Sequence, residues 1–329
     1  MARLGPVGST GAARLTSKSL RPRALDSPDV PPADLAVQLR AAATTVLTGH
    51  GYGVAALPAE IDLVRPPNPE HGDYATSLAL RTAAALDVAP RTLAGWLASE
   101  LVYRGAVTSA DVAGPGFVNL WLAPGADAAL VGEVLEQRKR YGAGTHASRV
   151  AALVGEVLGT CTAAAGWDTL VAAAGLDAAR YALVRRSAEP NRRLDVEPLA
   201  RQTEDNPVFA VRYLHAGLCS LAAAASALGL TPAHGRFEHP AERALIHRIG
   251  EFSDVLHTAA ELGEPHRLPR YLETLAVAFH HFYDHNRVLP MGDEPNSELY
   301  GARVALCLAT RQVLANGLRL LGVSAPERL

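Results

Sequence analysis

Arg212, Tyr213 and His215 place a permanent cation, an aromatic ring and a titratable imidazole within one helical turn. Such a set can meet a polyanion, because a guanidinium group forks onto phosphate oxygens. Ordinary solvated residues on a surface helix are the competing reading. A second cationic set lies upstream, where Arg180, Arg185, Arg186, Arg192 and Arg193 are opposed within their window only by Glu189. This is the densest basic patch expected, and it fits phosphate contacts. A loop neutralised by the following Asp195, Glu197, Glu204 and Asp205 fits the same residues. His281 and His285 have the i, i+4 spacing of helical metal ligands. No third ligand with matching spacing and no His-Glu-x-x-His accompanies them, so the reading is an exposed helix face, with no metal site and no catalytic residue.

These side chains need elements to hold them. Asn206 is suited to an N-cap and Pro207 to a first helical position. Val208, Val211, Leu214 and Leu218 then form an apolar stripe at helical spacing. Similar patterns predict helices over 168–174, 177–186, 207–228, 240–263, 267–286 and 297–322. The clearest carries Leu268, Leu272, Leu275, Phe279 and Phe282 on one face. Together they make an all-α bundle over 167–329.

The first half reads differently. A helix from Ala33 is followed by a short strand at Ile61–Val64, a helix after Tyr74 as far as Leu86, and a helix opened by Pro90 with Leu93, Trp96, Leu97 and Leu101 on one face. Residues 107–122 read as a hairpin turning at Gly114-Pro115-Gly116, and a helix over 126–140 closes the unit. The expected fold class is therefore an α+β domain with a small antiparallel sheet over 33–142, followed by the bundle. Residues 1–32 read as a disordered leader and 143–166 as a linker.

Composition narrows the function classes. The 329 residues are 49% hydrophobic and only 5% aromatic, so aliphatics and alanine must fill the cores. A net charge of −2 and a pI near 6.6 do not mark a nucleic-acid binder, for which values above about 9 are common. Any RNA affinity must come from a local face. Cys161, Cys219 and Cys307 are few and far apart, as buried thiols in a reducing compartment would be. With no apolar run of spanning length and no secretory h-region, a cytoplasmic protein with no membrane partner is expected.

The order of motifs resembles that of arginyl-tRNA synthetases, in two separated pieces. The first comprises Asn68-Pro69-Glu70-His71-Gly72-Asp73-Tyr74-Ala75-Thr76-Ser77 and Val112-Ala113-Gly114-Pro115-Gly116-Phe117-Val118-Asn119. The second runs from Gly175-Leu176-Asp177-Ala178-Ala179-Arg180-Tyr181 through Asn206-Pro207 and Tyr213-Leu214-His215-Ala216 to the closing Leu321–Leu329. The resemblance implies an N-terminal domain that meets the tRNA elbow and a class I anticodon-binding helical domain. It implies elbow contacts by Tyr74, whose exposed ring would stack on an unpaired base, and by Ser77, where the family usually has Asn. It further implies that Tyr213, His215, Tyr283 and the last residue, here Leu329 where methionine is usual, line an anticodon pocket.

In that family, ATP and Mg are bound by a parallel-sheet domain between the two pieces, through a His-Ile-Gly-His-like motif and a Lys-Met-Ser-Lys-like loop. The corresponding gap here is about 25 residues, against the ~50 that a small domain needs. No His-x-Gly-His occurs, and Lys18 and Lys139 are the only lysines. The expectation is a tRNA-binding protein for an arginine tRNA, with no cofactor and no adenylate formation by this chain alone. Two alternatives stay open. It is the non-catalytic part of a split ligase, working with a separate catalytic chain or a full-length synthetase, or it is an interaction protein without RNA binding.

Overall fold

The computed structural model describes residues 32–64, 66, 71–122, 125–162, 166–187, 194–203 and 205–329. The expected leader, apart from Pro32, and Arg192 and Arg193 of the expected basic patch lie outside them.

The first unit is built on a three-stranded antiparallel sheet in the order β1-β3-β2, with β1 at Tyr74–Thr76, β2 at Ser109–Ala113 and β3 at Phe117–Trp121. The hairpin forms as its alternation predicts, with Val118 and Leu120 buried on one face. Helices α1 (Pro32–Gly49), α2 (Leu78–Ala83) and α3 (Pro90–Tyr103) cover that face. Leu35, Leu39, Leu78, Leu93, Leu97 and Leu101 meet Val118 and Leu120 in one core. The strand expected at 61–64 reduces to a single bridge between Val64 and Ala75.

The second unit is helical: α4 (Ala126–Gln137), α5 (Thr145–Thr162), α6 (Trp167–Ala174), α7 (Leu176–Arg186), α8 (Pro207–Ala227), α9 (Pro240–Gly250), α10 (Phe252–Leu262), α11 (Arg267–His285) and α12 (Glu298–Leu320). α12 is the hub, buried nearly all round from Ala302 to Leu318 and packed against α4, α5, α8, α9 and α11. Gly317 lets α11 come close, since a Cβ there would stand 2.6 Å from Leu272 Cδ2.

Three expectations change. α4 does not close the first unit, because Leu130, Val131 and Val134 join the core of the bundle. Within the expected linker, 143–166, the described residues form a helix. This is α5, whose Val150 and Val154 are buried in the same core. The single helix expected over 240–263 is two. At the break the Tyr271 hydroxyl donates to the carbonyl of Arg248 at 2.9 Å, and Phe252 turns fully inward.

α8 is long and apolar enough, by length and composition alone, to cross a membrane, although the sequence reading found no run of that kind. Its stripe of Val208, Val211, Leu214 and Leu218 is packed in the bundle core.

Candidate nucleic-acid interface

α8 begins at Asn206-Pro207 as expected, but the cap works differently. Asn206 is buried and its side chain accepts nothing from the helix. Its Nδ2 donates to the carbonyls of Leu199 and Arg201 at 2.8 and 2.9 Å, tying down the preceding loop.

One turn on, Arg212 and His215 face the chain's own closing segment, 321–329. Arg212 Nη2 donates to Ser324 Oγ at 3.1 Å and lies 3.4 Å from Asp177 Oδ2 on α7. Ser324 in turn donates to Asp177 through both its backbone N and its hydroxyl. Arg180 Nη1 donates to the carbonyl of Gly322 at 2.7 Å. His215 Nδ1 donates to the carbonyl of Pro326 at 2.9 Å. Burial is the main reason His215 sits below the ordinary imidazole range; the bond to Pro326 opposes the shift and nearby Arg311 adds to it. Three residues expected to touch RNA thus clasp the end of the chain across α7 and α8.

Residues of the basic patch are also engaged within the chain. Arg185 grips Glu273 on α11 with Nε at 2.7 Å and Nη2 at 3.1 Å. Tyr181, beside it and fully buried, donates to Pro269 O and Glu273 Oε1. Burial first, and then Glu273, hold its phenol well above the ordinary value, so it stays a donor. Arg186 is half-buried and also engaged within the chain. Of the three arginines of this patch among the described residues, Arg185 is thus tied to α11 and Arg180 to the closing segment.

Of the expected elbow residues, Tyr74 does not have the exposed ring that the resemblance implies. Tyr74 is only 3% exposed; it lies in β1 opposite Leu120 and its ring is part of the first core, so it cannot stack on a base. Ser77 donates to Asp62 Oδ2 through its backbone N at 3.0 Å and its hydroxyl at 2.6 Å.

Two tyrosines of the expected set remain open to a partner. Tyr213 is 60% exposed and stacks on Phe209, with ring centroids 5.6 Å apart. Tyr283 is 51% exposed and stacks on Phe279 at 5.8 Å. α8 and α11 pack together, yet among the described residues the two tyrosine rings make no contact with each other. Leu329 is exposed. His285 Nδ1 is bonded to the carbonyl of His281 on its own helix at 2.8 Å.

One cationic feature escaped the sequence reading. Arg138, Lys139 and Arg140 are all exposed, and among the described residues none is in an ion pair. α12 fixes their backbone: Asn316 Nδ2 donates to the carbonyls of Arg138 and Tyr141 at 2.9 and 3.0 Å, and Arg319 donates to that of Lys139 at 2.8 Å. Arg319, also exposed, brings a fourth positive charge to the run. Three consecutive basic residues were a visible signal; the fourth came only with the fold.

Residues 34–122 match the family model for the arginyl tRNA synthetase N terminal domain, and residues 211–329 match that for the DALR anticodon binding domain. An arginine–tRNA ligase of Frankia alni is 54% identical over 165 residues, which are 49% of this chain and 30% of the ligase. The chain thus spans less than a third of that relative. Among solved structures, the Thermus thermophilus arginyl-tRNA synthetase aligns with a TM-score of 0.38 and 26% identity, covering 60% of this chain and 32% of that one. The Plasmodium falciparum arginyl-tRNA synthetase gives 0.39 and 20%, covering 61% and 33%. With both family segments present, in order, the chain belongs to the arginyl-tRNA synthetase family.

Proposed function

We propose that this protein binds tRNA, an arginine tRNA in particular, without activating the amino acid itself. The observation that carries the reading is the exposed, Phe209-backed Tyr213 beside the clasped closing segment, within the anticodon-binding match. Stacking on an exposed ring is worth about 1–3 kcal/mol per base. The platform of Arg138, Lys139, Arg140 and Arg319 supplies sequence-independent phosphate attraction. Residues 123–210, between the two family segments, contribute α4 to α7 to the helical unit, which supports the absence of an adenylating domain.

The test is gel retardation of arginine tRNA against other tRNAs over a salt series. Tighter retention of arginine tRNA with a steep loss of affinity in salt is expected. Equal, weak retention of every tRNA would overturn the arginine specificity. ATP–pyrophosphate exchange should stay flat for the chain alone.

A second reading has its own support. Arg185 is spent on Glu273, and Arg180 and Arg212 on the closing segment, as suits a protein–protein interaction module without RNA. No retention of any tRNA at low salt would favour it.

A further inference from the structure

Away from the exposed tyrosines, α5 and α10 bring together two histidines and a carboxylate. His146 Nε2 on α5 lies 3.4 Å from His257 Nδ1 on α10, with the rings nearly perpendicular at 82°. Glu261 follows His257 by one helical turn, and the ligand atoms of the three all lie within 4.8 Å of one another. Behind them, Glu60 of the first unit places Oε2 3.6 Å from His257 Nε2.

The spacing discriminates between two explanations. A direct hydrogen bond between ring nitrogens favours roughly 2.9–3.0 Å, and 3.4 Å is long for one. Two nitrogens each about 2.0–2.1 Å from one zinc ion, at a tetrahedral angle, stand ~3.3–3.4 Å apart. The set also has the layered form of metal sites, in which the outer nitrogen of a ligating histidine faces a carboxylate that orients the ring. Its scaffold is pre-formed, since α5 and α10 pack side by side through Val150, Val154, Leu256 and Ala259.

We propose that His146, His257 and Glu261 bind a divalent cation of the zinc class, with water completing the tetrahedron and Glu60 orienting His257. Two imidazoles favour zinc, cobalt or nickel over magnesium and calcium, which take oxygen ligands. Because Glu60 belongs to the first unit and the ligands to the bundle, the ion ties the two units together. Among the described residues the His281–His285 pair lacks such a third ligand.

The test uses the full chain, free of any polyhistidine tag and stripped with chelator, titrated with Zn²⁺ by calorimetry and with Co²⁺ by visible absorption. One ion per chain and the intense absorption of tetrahedral cobalt are expected. His257→Ala should abolish both. His146→Ala and Glu261→Gln should weaken binding strongly, Glu60→Gln by about 10–100-fold, and His281→Ala with His285→Ala not at all. His146 and His257 are not core residues, and unchanged melting of the metal-free variants will confirm that they fold. No saturable binding, binding that survives His257→Ala, or binding lost only with His281 and His285 would overturn the proposal.

Discussion

At the scale of the residue, two tyrosines show what a sequence does and does not reveal. Tyr74 and Tyr213 both sit in recognisable motifs, and local spacing does not separate them. Their burial does, and burial depends on partners distant in the chain: Leu120 on β3 covers Tyr74, whereas Tyr213 projects from α8 with only Phe209 behind it. Tyr74→Ala should therefore destabilise the chain by about 3 kcal/mol or more, the cost of emptying an aromatic core site, read from the denaturation midpoint. Tyr213→Ala should leave that midpoint unchanged and weaken tRNA retention by roughly 1–3 kcal/mol. His215 adds a pH dependence. Its folded-state value is depressed, so below the ordinary value of about 6.5 the unfolded chain takes up a proton that the folded chain resists. The clasp on Pro326 is thus fully stable above that pH and weakens as pH falls below it. Amide exchange of residues 323–328 should accelerate from pH 7.5 to 5.5 after correction for intrinsic rates, and a flat response would show that His215 is not a strut.

At the scale of the element, helical periodicity located most of the bundle, and the misses have physical causes. The family resemblance assigns 143–166 to a gap, while its own Val150, Leu153, Val154 and Val157 spell a helix at i, i+3, i+4 and i+7. The break between α9 and α10 is invisible to periodicity, because the Tyr271 hydroxyl that bonds there comes from α11. α9 also carries a demanding polar feature. Glu242 is 1% exposed, accepts from the backbone of His239 at 3.0 Å, and accepts from Arg303 Nε at 2.7 Å. Arg303 in turn donates to Arg287 O and Asn286 Oδ1, so one cation stitches α9 and α12 to the end of α11. Removing the carboxylate alone, in Glu242→Ala, should cost ~3–5 kcal/mol by leaving Arg303 uncompensated. Replacing both by apolar residues of similar size should recover most of that loss in urea unfolding.

At the scale of the whole molecule, two cores meet across a polar seam. Arg243 on α9 reaches Asp73 at 3.0 Å and Asp127 at 3.5 Å, and His247 stands 3.7 Å from Asp73. The two units were legible in the sequence, but α4 changed sides, because an amphipathic helix records that it has a buried face and not which core receives it. Arg243→Ala should alter stability by under about 1 kcal/mol, as exposed ion pairs do, yet broaden the spread of distances between fluorophores placed on the two units. The seam gives Gly72-Asp73-Tyr74 a different meaning. Gly72 sits at φ +97°, where a Cβ would come within 2.8 Å of the Leu120 carbonyl. Asp73 accepts from the backbone N of Leu122 at 2.8 Å as well as from Arg243, and Tyr74 fills the core. A library randomised at these three positions and sorted only for protease resistance, with no RNA at any stage, should return glycine, aspartate and tyrosine. What looks like a recognition signature would then have been selected by foldability alone.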